Sequence, residues 1–107
     1  MNLPKVVSEL VRTQNNFDSA AYANCFSETA IVFDEGKTHN GRKEIENWIA
    51  DANERYKSTM QPLSYEENGR ESILEAEVLG TFPGSPLVLK FHFEIADDQI
   101  QNLKVTE

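Results

Sequence analysis

Apolar positions recur along this chain in two periods, every three to four residues through the first half and every second residue through the rest. From Leu3 to Thr13, the residues Leu3, Val6, Val7, Leu10 and Val11 predict a helix with a single apolar stripe, and Pro4 is tolerated in its first turn. Asn15-Asn16 interrupts that helix. Asp18 then caps a short second helix in which Tyr22, Cys25 and Phe26 share one side, and Ser27-Glu28-Thr29 ends it. Ala30 to Phe33 reads as a strand running into Asp34. Gly36 and the Asn40-Gly41 pair mark turns on either side of Lys37-Thr38-His39, the short return arm of a hairpin. After Gly41 the spacing of Ile45, Trp48, Ile49, Ala52 and Tyr56 predicts a third helix of about four turns.

Period-two alternation takes over beyond Tyr56, and matching of apolar faces predicts three hairpins, because a slip of one residue would turn a whole apolar row to solvent. A two-residue Asn68-Gly69 turn places Leu63 opposite Leu74 and Tyr65 opposite Ser72. A Gly84-Ser85 turn sets Val78 against Phe91, Ala76 against Phe93 and Leu74 against Ile95. For the last hairpin only a three-residue loop, Asp97-Asp98-Gln99, aligns the faces, pairing Phe93 with Leu103 and Phe91 with Val105. The result is a four-stranded antiparallel meander. Its inner face carries Leu63, Tyr65, Leu74, Ala76, Val78, Phe82, Leu87, Leu89, Phe91, Phe93, Ile95, Leu103 and Val105. Its outer face carries Glu66, Glu75, Glu77, Lys90, His92, Glu94 and Lys104, with His92 across from Glu77. Three amphipathic helices covering the apolar face make this an α+β chain.

Length and charge narrow the function. The 107 residues are expected to form one domain, 1–107, which buries roughly 65% of its unfolded surface. With 18 acidic against 10 basic residues the net charge is -8, a surface that repels phosphate backbones and anionic lipid, so no nucleic acid and no membrane partner is expected. Cys25 is the single cysteine, which excludes an internal disulfide and fits a reducing cytoplasm. The N-terminus, M-N-L-P-K-V-V-S-E-L, lacks the pattern of a secretion signal, so a cytoplasmic protein is expected.

One local segment is more specific than the totals. F-S-E-T-A-I-V-F-D-E-G followed by H-N-G-R-K-E-I-E-N-W-I resembles the NTF2-like superfamily, and within it the SnoaL-like branch, in its acidic pair before an alanine-led strand ending in aspartate and in its glycine-arginine helix start. The order of elements is similar over nearly the whole chain. This resemblance implies a cone-shaped α+β barrel in which three N-terminal helices pack on a curved antiparallel sheet, with a pocket between the helices and the concave face. It also implies a homodimer paired through the outer face of the sheet, where Leu79 and Val88 mix with charges of both signs. Members include ketosteroid isomerases, polyketide cyclases, dehydratases, epoxide hydrolases and non-catalytic scaffolds, so the fold does not specify a reaction. Asp34 matches the isomerases' general base. Leu10 stands where their oxyanion-hole tyrosine is found and Phe91 where their second aspartate is found, which argues against steroid isomerisation.

The candidate chemistry follows. Asp34 in an apolar pocket has its neutral form favoured by desolvation, which suits proton abstraction near neutral pH; the structural alternative is a carboxylate that caps the Glu35-Gly36 turn. His39 would form an acid-base pair with Asp34 if a tight turn returns it, and otherwise is a solvated loop histidine. Tyr22, Phe26, Trp48, Tyr56, Tyr65, Phe91 and Phe93 are either ligand-lining aromatics or core. Gln61 is a further polar residue for the inner face. Cys25 has no activating neighbour in sequence and reads as packing. No spacing suggests a metal and no glycine-rich loop suggests a nucleotide, so no cofactor is expected. Two functions remain: a binder of a small apolar molecule that transforms it through Asp34, of the isomerase, cyclase or dehydratase type, or a non-catalytic binding or assembly module of the same fold.

Overall fold

The computed structural model describes residues 1–107. In chain order the elements are α1 (Lys5–Asn15), α2 (Ser19–Ala23), β1 (Phe26–Asp34), β2 (Lys37–Asn40), α3 (Gly41–Tyr56), β3 (Thr59–Asn68), β4 (Glu71–Leu79), β5 (Leu87–Ala96) and β6 (Gln99–Thr106). All strands join one six-stranded sheet in the order β2-β1-β6-β5-β4-β3. The meander from β3 to β6 is antiparallel as the alternation requires, but β1 lies parallel to β6, so the sheet is mixed and not purely antiparallel. That pairing closes the distance between the N-terminal half and the end of the chain, and it places the turn after Asp34 beside the C-terminal residues of β6.

Local chemistry explains where the helices begin and end. The Asp18 carboxylate accepts the Ala21 N–H at 3.1 Å and starts α2. At the start of α3 the Glu44 carboxylate reaches back to accept the Asn40 N–H at 2.8 Å, while Gly41 takes the left-handed φ of 84°. Arg42 of the glycine-arginine motif donates from its Nε at 3.2 Å and its terminal nitrogen at 2.8 Å to the Phe26 carbonyl. The motif thus ties the first turn of α3 to the start of β1, where the β1–β6 register is irregular between Phe26 and Ile31. Asn15, at the end of α1, presents its amide as a short stretch of backbone to edge strand β3. Its Nδ2 donates to the Met60 carbonyl at 3.1 Å and its Oδ1 accepts the Met60 N–H at 2.8 Å.

The buried apolar residues form one cluster between the helices and one face of the sheet. Val7 and Leu10 of α1, Tyr22 of α2, Ile45 and Ile49 of α3, Ala30 and Val32 of β1, and Leu74, Phe93 and Leu103 of the meander all belong to it. Ile31 and Phe33, on the other face of β1, are 38% and 40% exposed.

Several expectations are corrected. β1 starts at Phe26, not Ala30, because α2 stops at Ala23 and the Cys25 carbonyl accepts the Ile100 N–H at 2.9 Å. In the β3–β4 hairpin Asn68 pairs with Glu71, so the turn is Gly69-Arg70 and Tyr65, not Leu63, faces Leu74. A bulge between Pro62 and Ser64 then inverts the parity of β3, which brings Met60 and Pro62 inward opposite Val78 and Ala76 and leaves Leu63 47% exposed. The inner-face assignment of Leu63 is therefore wrong, and Gln61, opposite Glu77, lies on the outer face. Leu74 pairs with Phe91, Ala76 with Leu89 and Val78 with Leu87, four residues from the expected register, because Gly80 to Pro86 do not pair at all. The pairs Phe93–Leu103 and Phe91–Val105 are as expected, but a two-residue Asp97-Asp98 turn, with φ of 54° and 60°, and an irregularity at Glu94/Ile95 replace the three-residue loop. His92 is on the outer face beside Ile73 and Lys104, not across from Glu77, and its Nε2 lies 2.9 Å from the Thr106 hydroxyl.

Candidate functional site

A cavity of about 620 Å³ lies between α3 and the sheet, large enough for a small organic molecule. Its wall follows one side of α3 from Trp48 through Asn53 to Tyr56, faces Val78, Leu89 and Phe91 on the meander, and includes Asp34. The cavity end at Tyr56 is built by the unpaired segment Gly80–Pro86. Thr81 donates its N–H to the Tyr56 carbonyl at 2.8 Å, and Phe82 meets the Tyr56 ring edge-on at 6.1 Å.

Asp34 is the last residue of β1 and shares the inward face of the strand with Val32 and Ala30. The Glu35-Gly36 turn, with φ of 52° and 75°, is tight enough to return β2 so that Asp34 pairs with Lys37 and Val32 with His39. His39 is thus a diagonal neighbour of Asp34 on one face, roughly 7 to 8 Å away along the backbone. Its ring stacks on Trp48 at 5.4 Å with planes 30° apart, and Trp48 meets Tyr22 at 6.2 Å. The tight turn brings Asp34 and His39 to one aromatic cluster, with His39 behind Trp48 and outside the cavity wall.

Burial raises the Asp34 carboxyl above its ordinary 3.8, and the negative charge of Glu35 adds to the effect. The Trp48 indole N–H reaches toward the carboxylate without completing a hydrogen bond of standard geometry; it, the His39 ring and the Glu35 N–H pull the other way but leave the net shift upward. Tyr22 is fully buried, and desolvation first, then Cys25 and Asp34, holds its phenol protonated. Two protonatable groups of different character therefore face one space: a carboxyl that loses its proton reluctantly and a phenol that keeps it. Burial, with Glu9 adding, pushes the Cys25 thiol up to about 11, so it stays protonated and its Sγ–H points at the Ala21 carbonyl, 3.6 Å away.

Of the aromatics expected to line a site, Tyr22, Trp48, Tyr56 and Phe91 do so. Phe26 and Phe93 are 0% and 1% exposed in the core, and Tyr65 is half-buried on β3 beyond the cavity. Gln14 and Asn53 of the wall escaped the sequence reading. Gln14 Nε2 donates to Asn53 Oδ1 at 3.0 Å and to the Ser58 carbonyl at 2.6 Å. A signal for them existed: Gln14 follows Val7 and Leu10, and Asn53 follows Ile45 and Ile49, at steps that keep both amides on the buried stripes of their helices.

No protein-family model matches the chain, and no curated protein does. Among solved structures it is similar to a Sinorhizobium meliloti protein proposed to be a polyketide cyclase, with 32% identity and a TM-score of 0.92, covering 97% of this chain and 95% of that one. The chain belongs to the NTF2-like superfamily, with a SnoaL-like domain. The same fold is seen in a Catenulispora acidiphila protein with a ketosteroid isomerase-like fold in complex with trimethylamine, at 17% identity and a TM-score of 0.88 over 99% of this chain and 87% of that one. It is seen again in an NTF2-like protein of unknown function from Cytophaga hutchinsonii, at 15% identity and a TM-score of 0.78 over 94% and 85%. In this SnoaL-like domain the cavity lies between α3 and the sheet, walled by the side chains described above.

Proposed function

We propose that the cavity binds a small apolar molecule and that Asp34 is the base of a proton-transfer reaction of the isomerase, cyclase or dehydratase type. The Asp34 carboxylate takes a proton from a carbon next to a carbonyl, the electron pair moves onto the carbonyl oxygen, and the proton returns at another atom of the same molecule. The observation that carries this reading is the raised Asp34 carboxyl in the wall of an aromatic cavity, beside the protonated Tyr22 phenol. A carboxyl whose neutral form is favoured by burial is a stronger base than a solvated one. His39, stacked on Trp48, holds that indole against Asp34. The similarity to the Sinorhizobium protein supports cyclase-type chemistry, and the trimethylamine in the Catenulispora protein supports a small-molecule pocket. In this reading the helices close one end of a cone and the space near Asp34 is its mouth.

A specific observation favours a second reading, a non-catalytic binding module. Leu10, fully buried, and Phe91 stand where the isomerases carry their enolate-stabilising donors, which leaves the Tyr22 phenol and the Trp48 indole N–H as the donors near Asp34. Deuterium uptake at the activated methylene of 2-tetralone, followed by NMR in D₂O, separates the two. The enzyme reading expects wild type to accelerate uptake and Asp34→Asn to abolish the acceleration; equal rates with the two proteins would leave the binding module.

We infer further that the chain forms a homodimer through the outer face of the sheet. Leu79 and Val88 are 43% and 42% exposed there, and Lys104 sits over the Phe33 ring at 5.7 Å.

A further inference from the structure

Tyr22, on α2, is 2% exposed and belongs to the cavity wall, and its hydroxyl meets no hydrogen-bonding partner in the protein. The buried polar side-chain atoms that are both unpartnered and sealed from contact lie on Ser27, Asn53 and Ser72. The Tyr22 oxygen is not one of them, so the small area that this side chain leaves open lies at its hydroxyl, on the cavity. A phenylalanine would fill the same core position with no unpaired group, whereas the hydroxyl of a buried tyrosine is nearly always bonded. The ring is fixed by its neighbours, with Phe26 centred 5.7 Å from it and Trp48 6.2 Å. Burial keeps the phenol protonated, so it has a hydrogen to offer. The other donor near Asp34, the Trp48 N–H, is directed at the carboxylate itself.

We propose that the Tyr22 O–H is the catalytic donor of the proton transfer, holding the carbonyl oxygen of the substrate while Asp34 acts on the carbon beside it, and that the Trp48 N–H serves the base instead. The inference rests on the reading of Asp34 as the base. When the Asp34 carboxylate takes the proton, the C–H electron pair becomes the new C=C bond and the carbonyl π pair moves onto oxygen. The charge that grows there is what a phenol already in place stabilises. The Asp34 carboxyl then returns the proton to carbon and the pairs move back. Tyr22 thus supplies from α2 what Leu10 on α1 and Phe91 on β5 cannot. So little of Tyr22 is open that only an oxygen projecting from an uncrowded carbonyl can reach it, which narrows the substrate to unhindered ketones and enones.

The test follows deuterium uptake by 2-tetralone, whose carbonyl is unhindered, as a function of pH in D₂O, together with the melting temperature of each variant. Tyr22→Phe is expected to melt at the same temperature as wild type or higher, since the hydroxyl it loses bonds to nothing in the protein. It should lower the acceleration about 100-fold at every pH, and the acidic limb of the profile, which reports Asp34, should stay where it is. Trp48→Phe, by contrast, should move that limb to higher pH, because the lost N–H favours the ionised carboxylate. Uptake with Tyr22→Phe within about threefold of wild type, or a loss accompanied by a moved limb or a lowered melting temperature, would overturn the donor and leave Asp34 as the base. No acceleration by wild type would overturn the proton-transfer reading and the catalytic donor with it.

Discussion

Asp34 unites the chemistry and the folding energetics of this chain. Its folded-state pKa lies above the unfolded one, so between the two values the folded chain holds more of this proton than the unfolded chain does. Its contribution to stability therefore falls as pH rises from about 3.8 through the raised value, and above that window the burial of the charge is carried in full. Asp34→Asn is neutral throughout. It is expected to melt at the same temperature as wild type or higher at pH 7, and the difference should shrink as both are titrated toward pH 4. A carboxylate that served as a cap would show the reverse, a loss of about 1 kcal/mol at neutral pH.

Elements were legible in the sequence where a period or a cap named them, and less so where backbone strain or a distant partner decided. Asp18 signals α2 and the Ile45–Ile49 step signals α3, because each acts within a turn of itself. The faces of β4 and β5 were readable although their register was four residues off, since an even shift leaves every side chain on the same side. The bulge at Leu63 was not readable, for nothing in the alternation of β3 announces it, and the Gly80–Pro86 excursion was not, for it answers to the end of α3. The parallel β1–β6 pair joins residues some seventy positions apart, beyond any local pattern. At the site, Asp34, His39, Trp48 and Tyr22 were visible as types, while the Gln14–Asn53 bond across 39 residues was not. Gly80 tests this view of the α3 terminus. A Cβ there would sit 2.7 Å from the Tyr56 carbonyl and 2.8 Å from the Ser58 hydroxyl, so Gly80→Ala should cost about 1 to 3 kcal/mol and lower the melting temperature by at least about 4 °C. An unchanged melt would mean that the loop yields freely and does not wall the cavity.

On the scale of the whole molecule, the two faces of one sheet divide the work. The inner face, roofed by α3, carries the cavity; the outer face keeps Ile31, Phe33, Leu79 and Val88 at 38% to 43% exposure among charged neighbours. The proposed homodimer covers that face, and gel filtration with light scattering at tens of micromolar protein is expected to return twice the chain mass of 12.1 kDa. A monomer mass would remove the dimer and leave the cavity untouched, because Asp34, Tyr22, Trp48 and Asn53 all come from one chain. No helix is long and apolar enough to cross a membrane. Everything proposed for the reaction depends on a desolvated carboxylate at the end of β1, and NMR titration of the Asp34 side-chain carboxyl in ¹³C-labelled protein measures it directly. The account predicts a midpoint clearly above the ordinary 3.8 in wild type; a midpoint at or below 3.8 would make Asp34 a turn carboxylate and leave the proton-transfer function without a base.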